Sequence, residues 1–185
     1  FHDPKGRAGM SKLFESYLAG QVDALMQFAP MYWPTVNSYK RLVDGFWAPV
    51  KPTWGIDNRT ASFRVIPGSA KSTRLETRCP GADVNPYLAL AACIAAGMHG
   101  IEKKLKLNAP PVEGTNKGGE HVPRAPRSGP HGALPAPLEQ AAATGVLARQ
   151  GDAFVEHFAA TREWEWRQWQ DSVTDWELKR YFEIV

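Results

Sequence analysis

At 185 residues, 43% hydrophobic and 22% charged, the chain has the composition of one globular domain and not of a disordered segment. A net charge of +3 does not by itself point to nucleic acid, and the longest apolar run, residues 87–98, falls short of the roughly 20 residues of a membrane span. The opening Phe-His-Asp-Pro-Lys-Gly lacks an initiator Met, a basic n-region and an apolar h-region, so no secretory leader is expected and the start reads as that of a fragment.

Charge is unevenly placed. Residues 37–78 hold eight basic and three acidic side chains, and the basic ones are mostly Arg, the side chain suited to bidentate contact with carboxylate or phosphate. From Gly151 onward eight acids outnumber four bases. The two cysteines, Cys79 and Cys93, form no C-x-x-C pair, so buried reduced thiols are expected and a zinc site is not.

In chain order, residues 9–29 carry Met10, Leu13, Phe14, Tyr17, Leu18, Val22, Leu25, Met26 and Phe28 at helical spacing. The expected helix is weakened by Gly20, by about 1 kcal/mol relative to Ala, and closed by Pro30 and Pro34. Residues 37–52 are rich in turn formers and read as an ordered loop. Three short strands follow at 50–56, 61–66 and 73–79, closed by Asp57-Asn58, Pro67-Gly68 and Pro80-Gly81; the short connections predict a hairpin-like antiparallel arrangement. Asp83-Val-Asn85-Pro86 is a helix-start signal. The helix it opens runs to about Leu105 and is slim with Ala and Gly, fit to pack closely on a neighbour. Residues 108–137, rich in Pro and Gly, read as an extended excursion. Helices are expected at 138–149, 152–169 and 174–182. There are no internal repeats. The architecture is α+β: antiparallel strands in the middle, helices on both sides and a helical C-terminal segment. Residues 1–185 form one unit, divided into helix and lead-in (1–36), loops and strands (37–82), helix (83–107), excursion (108–137) and C-terminal helices (138–185).

Alternate residues of a strand share a face, so Arg74, Glu76 and Arg78 point one way and Leu75 and Thr77 the other. On pattern alone this is a solvated sheet face with cross-strand ion pairs. Against that reading, Arg64 lies on the preceding strand, Arg59 just before it and Arg41 in the loop upstream, with stiff Pro- and Gly-rich connections between. A solitary carboxylate among guanidiniums suits a metal–phosphate site: the acid offers a hard oxygen to Mg²⁺ or Mn²⁺, and the arginines neutralise phosphate. There is no Walker A or G-x-G-x-x-G loop.

Five blocks stand in order: Asn37-Ser-Tyr-Lys-Arg41-Leu, Ala48-Pro49, Asn58-Arg59-Thr-Ala-Ser-Phe-Arg64, Arg74-Leu-Glu76-Thr-Arg78 and Asn85-Pro-Tyr-Leu-Ala-Leu-Ala-Ala92. Together they resemble the C-terminal half of the glutamine synthetase catalytic domain. The ending Val173-Thr-Asp-Trp-Glu-Leu-Lys-Arg-Tyr-Phe resembles that of the glutamine-synthetase-like γ-glutamyl-amine (polyamine) ligases. The resemblance implies an ATP-dependent ligase that joins glutamate to ammonia or an organic amine through γ-glutamyl phosphate, with Mg²⁺ or Mn²⁺. It implies roles for individual residues: Arg41 and Arg78 at the substrate glutamate, and Arg59 at phosphate and the transferred group, which makes it the catalytic candidate. Arg64, Arg74 and, by a looser match, Lys71 would meet the nucleotide phosphates, and Glu76 would be a metal ligand. A cytoplasmic enzyme assembled as stacked homo-oligomeric rings is likewise implied, with no nucleic-acid or membrane partner.

Two departures carry weight. Where glutamine synthetases proper have a flap glutamate before Ala-Pro, this chain has Trp47. An indole takes no proton and holds no ammonium as a carboxylate does, but it can wall a larger amine; an amine acceptor follows, beside the plainer reading of a loop anchor. The family's other metal-binding glutamates, its His-x-His element and its N-terminal β-grasp domain are absent from these residues, so the chain alone is expected to be inactive. The alternative reading is a catalytically silent structural member of the same superfamily. A polyanion binder built on the arginine cluster is a third, disfavoured by the acid at its centre.

Overall fold

The computed structural model describes residues 1–42, 49, 51–113 and 151–182. Trp47, most of the 108–137 excursion and the helix expected at 138–149 lie outside them.

The first turn, a 3-10 helix at Arg7–Gly9, leads into α1, Lys12–Ala24, capped by the Ser11 hydroxyl accepting from the Phe14 N–H. The expected helix to residue 29 divides here. A turn at Leu25 to Phe28 precedes α2, Ala29–Tyr32, where Pro30 opens a new helix instead of closing the old one. The loop expected from Asn37 begins as a further helix, α3, Val36–Lys40, because Thr35 and Ser38 form a reciprocal capping box.

Strands β1 (Trp54–Ile56), β2 (Phe63–Ile66) and β3 (Arg74–Thr77) make one sheet in that order. The β2–β3 pair is antiparallel, as the sequence predicts. The β1–β2 pair corrects the hairpin expectation: it is parallel, with Trp54 beside Phe63 and Ile56 beside Val65. The sheet is therefore mixed. Residues 57–62 carry the chain back along the strand, turning first at Asp57, whose φ is +49°. Asn58 braces that return by accepting from the Thr60 N–H at 2.8 Å and donating to the Val112 carbonyl at 3.0 Å.

Helix α4, Pro86–Glu102, starts where the sequence places it, with Asn85 as cap and Pro86 in the first turn. It packs along α1. Gly20 and Gly100 lie face to face; a Cβ on Gly20 would collide with the Ala96 carbonyl, and one on Gly100 with the Ser16 carbonyl. The Gly20 that costs helix propensity is thus the residue that admits α4. Tyr17 Oη and Gln21 Nε2 both donate to the Cys93 carbonyl, at 3.1 and 3.0 Å, tying the seam together. Beneath it lies the core: Phe14, Leu18, Phe28 and Tyr32 from α1, α2 and the turn between them, and Trp54, Phe63, Val65 and Cys79 from the sheet and its end.

The C-terminal helices α5, Asp152–Asp171, and α6, Asp175–Tyr181, match the expected spans to within two residues. Trp166 is buried and stacks on Trp169, one turn along the same helix, at 5.2 Å, while Trp164 and Trp176 are exposed. Among the described residues, no helix is long and apolar enough to cross a membrane.

Candidate active site

The alternation of β2 divides its side chains. Phe63 and Val65 are wholly buried in the core, on the side facing α1, and Arg64 stands on the other face. On β3 the same rule turns Arg74 and Glu76 outward. Register then sets Arg64 directly beside Glu76. At such cross-strand positions opposite charges meet, and Arg64 Nη1 donates to Glu76 Oε2 at 3.0 Å. Just past the strand, Arg78 Nη1 donates to Glu76 Oε1 at 2.5 Å. One carboxylate is gripped by a guanidinium on each oxygen.

The chain of charges continues past Arg64. Its Nε and Nη2 both donate to Asp57 Oδ1, at 3.1 and 2.5 Å. The order is Asp57, Arg64, Glu76, Arg78. Arg59 and Arg74 stand close enough to Asp57 for their charges to act on it. Arg41, at the end of α3, reaches the same neighbourhood by another route: its Nη1 donates to the carbonyls of Cys79 and Pro80, at 3.1 and 3.2 Å, next to Arg78. The Cys79 carbonyl also accepts from Trp33 Nε1 at 2.8 Å.

The structure therefore joins Arg64, Glu76 and Arg78 by direct contact. It flanks them with Arg59 and Arg74 and brings Arg41 to the end of β3. Lys71 stays apart, exposed on the β2–β3 turn; among the described residues it makes no ion pair with either carboxylate. Asp57 was missed in the sequence, where Asp57-Asn58 reads only as a turn. Its signal is weak, a single acid seven residues before Arg64. Asp83, likewise read only as part of a helix start, accepts from Ser38 Oγ at 2.6 Å and Thr35 Oγ1 at 2.9 Å and so ties α3 to the entry of α4.

Electrostatics follow the contacts. The hydrogen bond from Arg64, and then its charge, holds the Asp57 carboxyl below its ordinary value. At Glu76 partial burial pushes the carboxyl up, but Arg78 and Arg64 together outweigh it and the net shift is downward. Burial pushes the Cys79 thiol up to about 12, so it is an inert core group.

No group of three or more His, Cys, Asp or Glu side chains that could hold a metal ion exists among the described residues. Glu76 nevertheless fits as one ligand of an oxygen-seeking cation. Its side chain is 35% exposed, and each oxygen takes one of these arginine hydrogen bonds, leaving acceptor capacity on both. Mg²⁺ is commonly held by one or two carboxylates plus phosphates and water.

Known proteins share this arrangement of sequence and fold. The family profile described as "Glutamine synthetase, catalytic domain" matches residues 1–181. Type-1 glutamine synthetase 2 of Dictyostelium discoideum is 46% identical over 100% of this chain and 35% of its own length. Gamma-glutamylethanolamide synthetase GlnA4 of Streptomyces coelicolor is 43% identical over 95% of this chain and 36% of its own. Glutamate–isopropylamine ligase of a Pseudomonas species is 37% identical over 100% and 40%. A solved GmaS/ADP complex superposes with a TM-score of 0.80 at 29% identity, over 98% of this chain and 42% of that one. The chain thus spans between a third and a half of the length of these relatives. With the profile covering nearly every residue and the solved fold matching as closely, the chain belongs to the glutamine synthetase family, within its catalytic domain.

Proposed function

We propose that this chain supplies the arginine-rich half of the active site of an ATP-dependent ligase that forms a γ-glutamyl amide. The carrying observation is the Glu76 carboxylate held between Arg64 and Arg78 on one open sheet face. In the reaction, a γ-carboxylate oxygen of glutamate attacks the terminal phosphorus of ATP and the bond to ADP breaks. The nitrogen of ammonia or an amine then attacks the γ-carbonyl carbon, phosphate leaves, and the nitrogen gives up a proton.

The residues divide the work by charge and place. Arg41 and Arg78, both at the end of β3, bind the carboxylates of the substrate glutamate. Arg64 and Arg74, with Lys71 on the turn between their strands, neutralise the nucleotide phosphates. Arg59, exposed at the return of the chain, faces the phosphoryl group in flight, where positioned positive charge lowers the barrier most. Glu76 is one ligand of Mg²⁺ or Mn²⁺, which when bound supplies further neutralisation of phosphate charge. The remaining ligands come from outside the described residues, and a chain spanning a third to a half of its relatives' length holds only part of such a site. Assembly into homo-oligomeric rings belongs to the same reading.

The acceptor is an organic amine in preference to ammonia. Two relatives, one named for joining isopropylamine to glutamate and one for an ethanolamide product, support this, as does an indole at position 47 where a carboxylate would hold ammonium. The test is a steady-state assay of the full-length protein, measuring ATP-dependent phosphate release with glutamate and a panel of amines. An alkylamine exceeding ammonia in kcat/KM supports the reading. Ammonia exceeding every amine overturns the acceptor, and no turnover with any of them overturns the ligase.

A further inference from the structure

Asp57 belongs to none of the residues to which the family resemblance assigns a role, yet the geometry gives it one. Its backbone is left-handed, φ +49°, a conformation that Asp and Asn tolerate better than most residues bearing a Cβ. Its N–H donates to the Val65 carbonyl at 2.8 Å, so the β1–β2 ladder fixes where the carboxylate begins. From there Oδ1 takes two nitrogens of Arg64, Nε and Nη2, while only Nη1 reaches Glu76. The Asp57 side chain is 67% exposed and that of Arg64 only 15%. An acid so exposed covers no core; what it does is hold a neighbour.

Arg64 and a cation are rivals for Glu76. A divalent ion on that carboxylate draws off its electron density and repels the guanidinium beside it. If Glu76 were the sole counter-charge of Arg64, the arriving ion would drive Arg64 off the face.

We propose that Asp57 is a positioning residue that anchors Arg64 through Nε and Nη2, so that the Arg64–Glu76 hydrogen bond opens for a divalent cation while the guanidinium stays in place. The anchor stands on this geometry alone; its consequence for ATP rests on the ligase reading.

The experiment uses the full-length protein with Asp57→Gly, which keeps the left-handed turn, and Asp57→Asn, which keeps an acceptor oxygen. Asp57→Gly is expected to raise the KM for Mg·ATP about tenfold, the worth of a charge-assisted contact, and to leave the KM for glutamate within about twofold. Asp57→Asn recovers most of that loss, whereas a merely structural role would lower the melting temperature and shift both constants together. Structures of the Asp57→Gly and wild-type proteins with and without Mg²⁺ give a readout free of turnover. Arg64 swung off the sheet face once Mg²⁺ binds to the variant, where the wild-type protein keeps it in place, supports the anchor; Arg64 kept in place in both, or an unchanged KM for Mg·ATP in an active variant, overturns it. A wild-type protein that turns over no ATP with glutamate and any amine overturns the ligase reading instead, and the structures still decide the anchor.

Discussion

The seam between α1 and α4 and the outer face of β2–β3 obey different rules. At the seam Gly20 meets Gly100 and Tyr17 lies against Gly97, with Asp23 and His99 paired only at 3.9 Å; close packing dominates there, and an added methyl has nowhere to go. On the sheet face Asp57, Arg64, Glu76 and Arg78 are part-exposed and joined by direct ion pairs; there volume is free and charge decides. The seam is built by close packing, and the face by paired charge.

Substitutions separate the two. Gly20→Leu drives a side chain into the backbone of α4 and is expected to cost about 3 kcal/mol or more, at the upper end of overpacking, read by denaturant unfolding. A loss under 1 kcal/mol would mean that α1 and α4 slide apart easily and that the seam is not the rigid element. Glu76→Gln is expected to cost about 1–2 kcal/mol, because Arg64 and Arg78 lose their shared counter-charge while remaining one-fifth exposed or less. In the full-length protein the same change is expected to lower kcat/KM about a hundredfold or more. Activity within threefold of wild type would remove Glu76 from the site.

Acid sharpens the contrast. Asp57, Glu76 and Asp83 are all held below their ordinary carboxyl values. Their stabilisation is therefore complete above the unfolded carboxyl range, about pH 4, and is lost as pH falls through the lower folded values. Unfolding free energy measured from pH 6 to pH 2 should fall only below about pH 4, and Glu76→Gln should flatten that fall; a curve unchanged by Glu76→Gln would break the assignment. Thiol labelling at pH 8 should find Cys79 unreactive in the folded protein and reactive in denaturant, since the buried thiol titrates at about 12. The smallest effect is expected at Trp176→Ala on α6, within about 0.5 kcal/mol, because this indole is 64% exposed.

What the sequence made legible was local. Asn85-Pro86 marks the start of α4, because caps are recognised from neighbours in sequence. The Ala- and Gly-rich run of α4 foretold close packing, and alternation foretold the outward charges of β3. Less legible were features set by distant contacts. The direction of β1 depends on the turn at Asp57 and on the Asn58 brace to Val112, 54 residues away, and a short connection by itself argues for a hairpin. Helix α3 hid because its capping box ends in Ser38 where Glu or Gln is the familiar signal. Asp57 itself looked like turn punctuation until the turn at the end of β1 set its carboxylate against Arg64.

The parallel step from β1 to β2 means that two independent rulers measure out the arginines. Arg64, Glu76 and Arg78 are spaced by ladder register, which slips only by turning side chains to the wrong face. Arg59 is spaced by the length of the return over residues 57–62. An insertion in that return after Asp57 would shift Arg59 and leave Arg64, Glu76 and Arg78 where they are. The fold can thus retune the residue proposed to face the phosphoryl group without disturbing those proposed to hold the nucleotide and the amino acid.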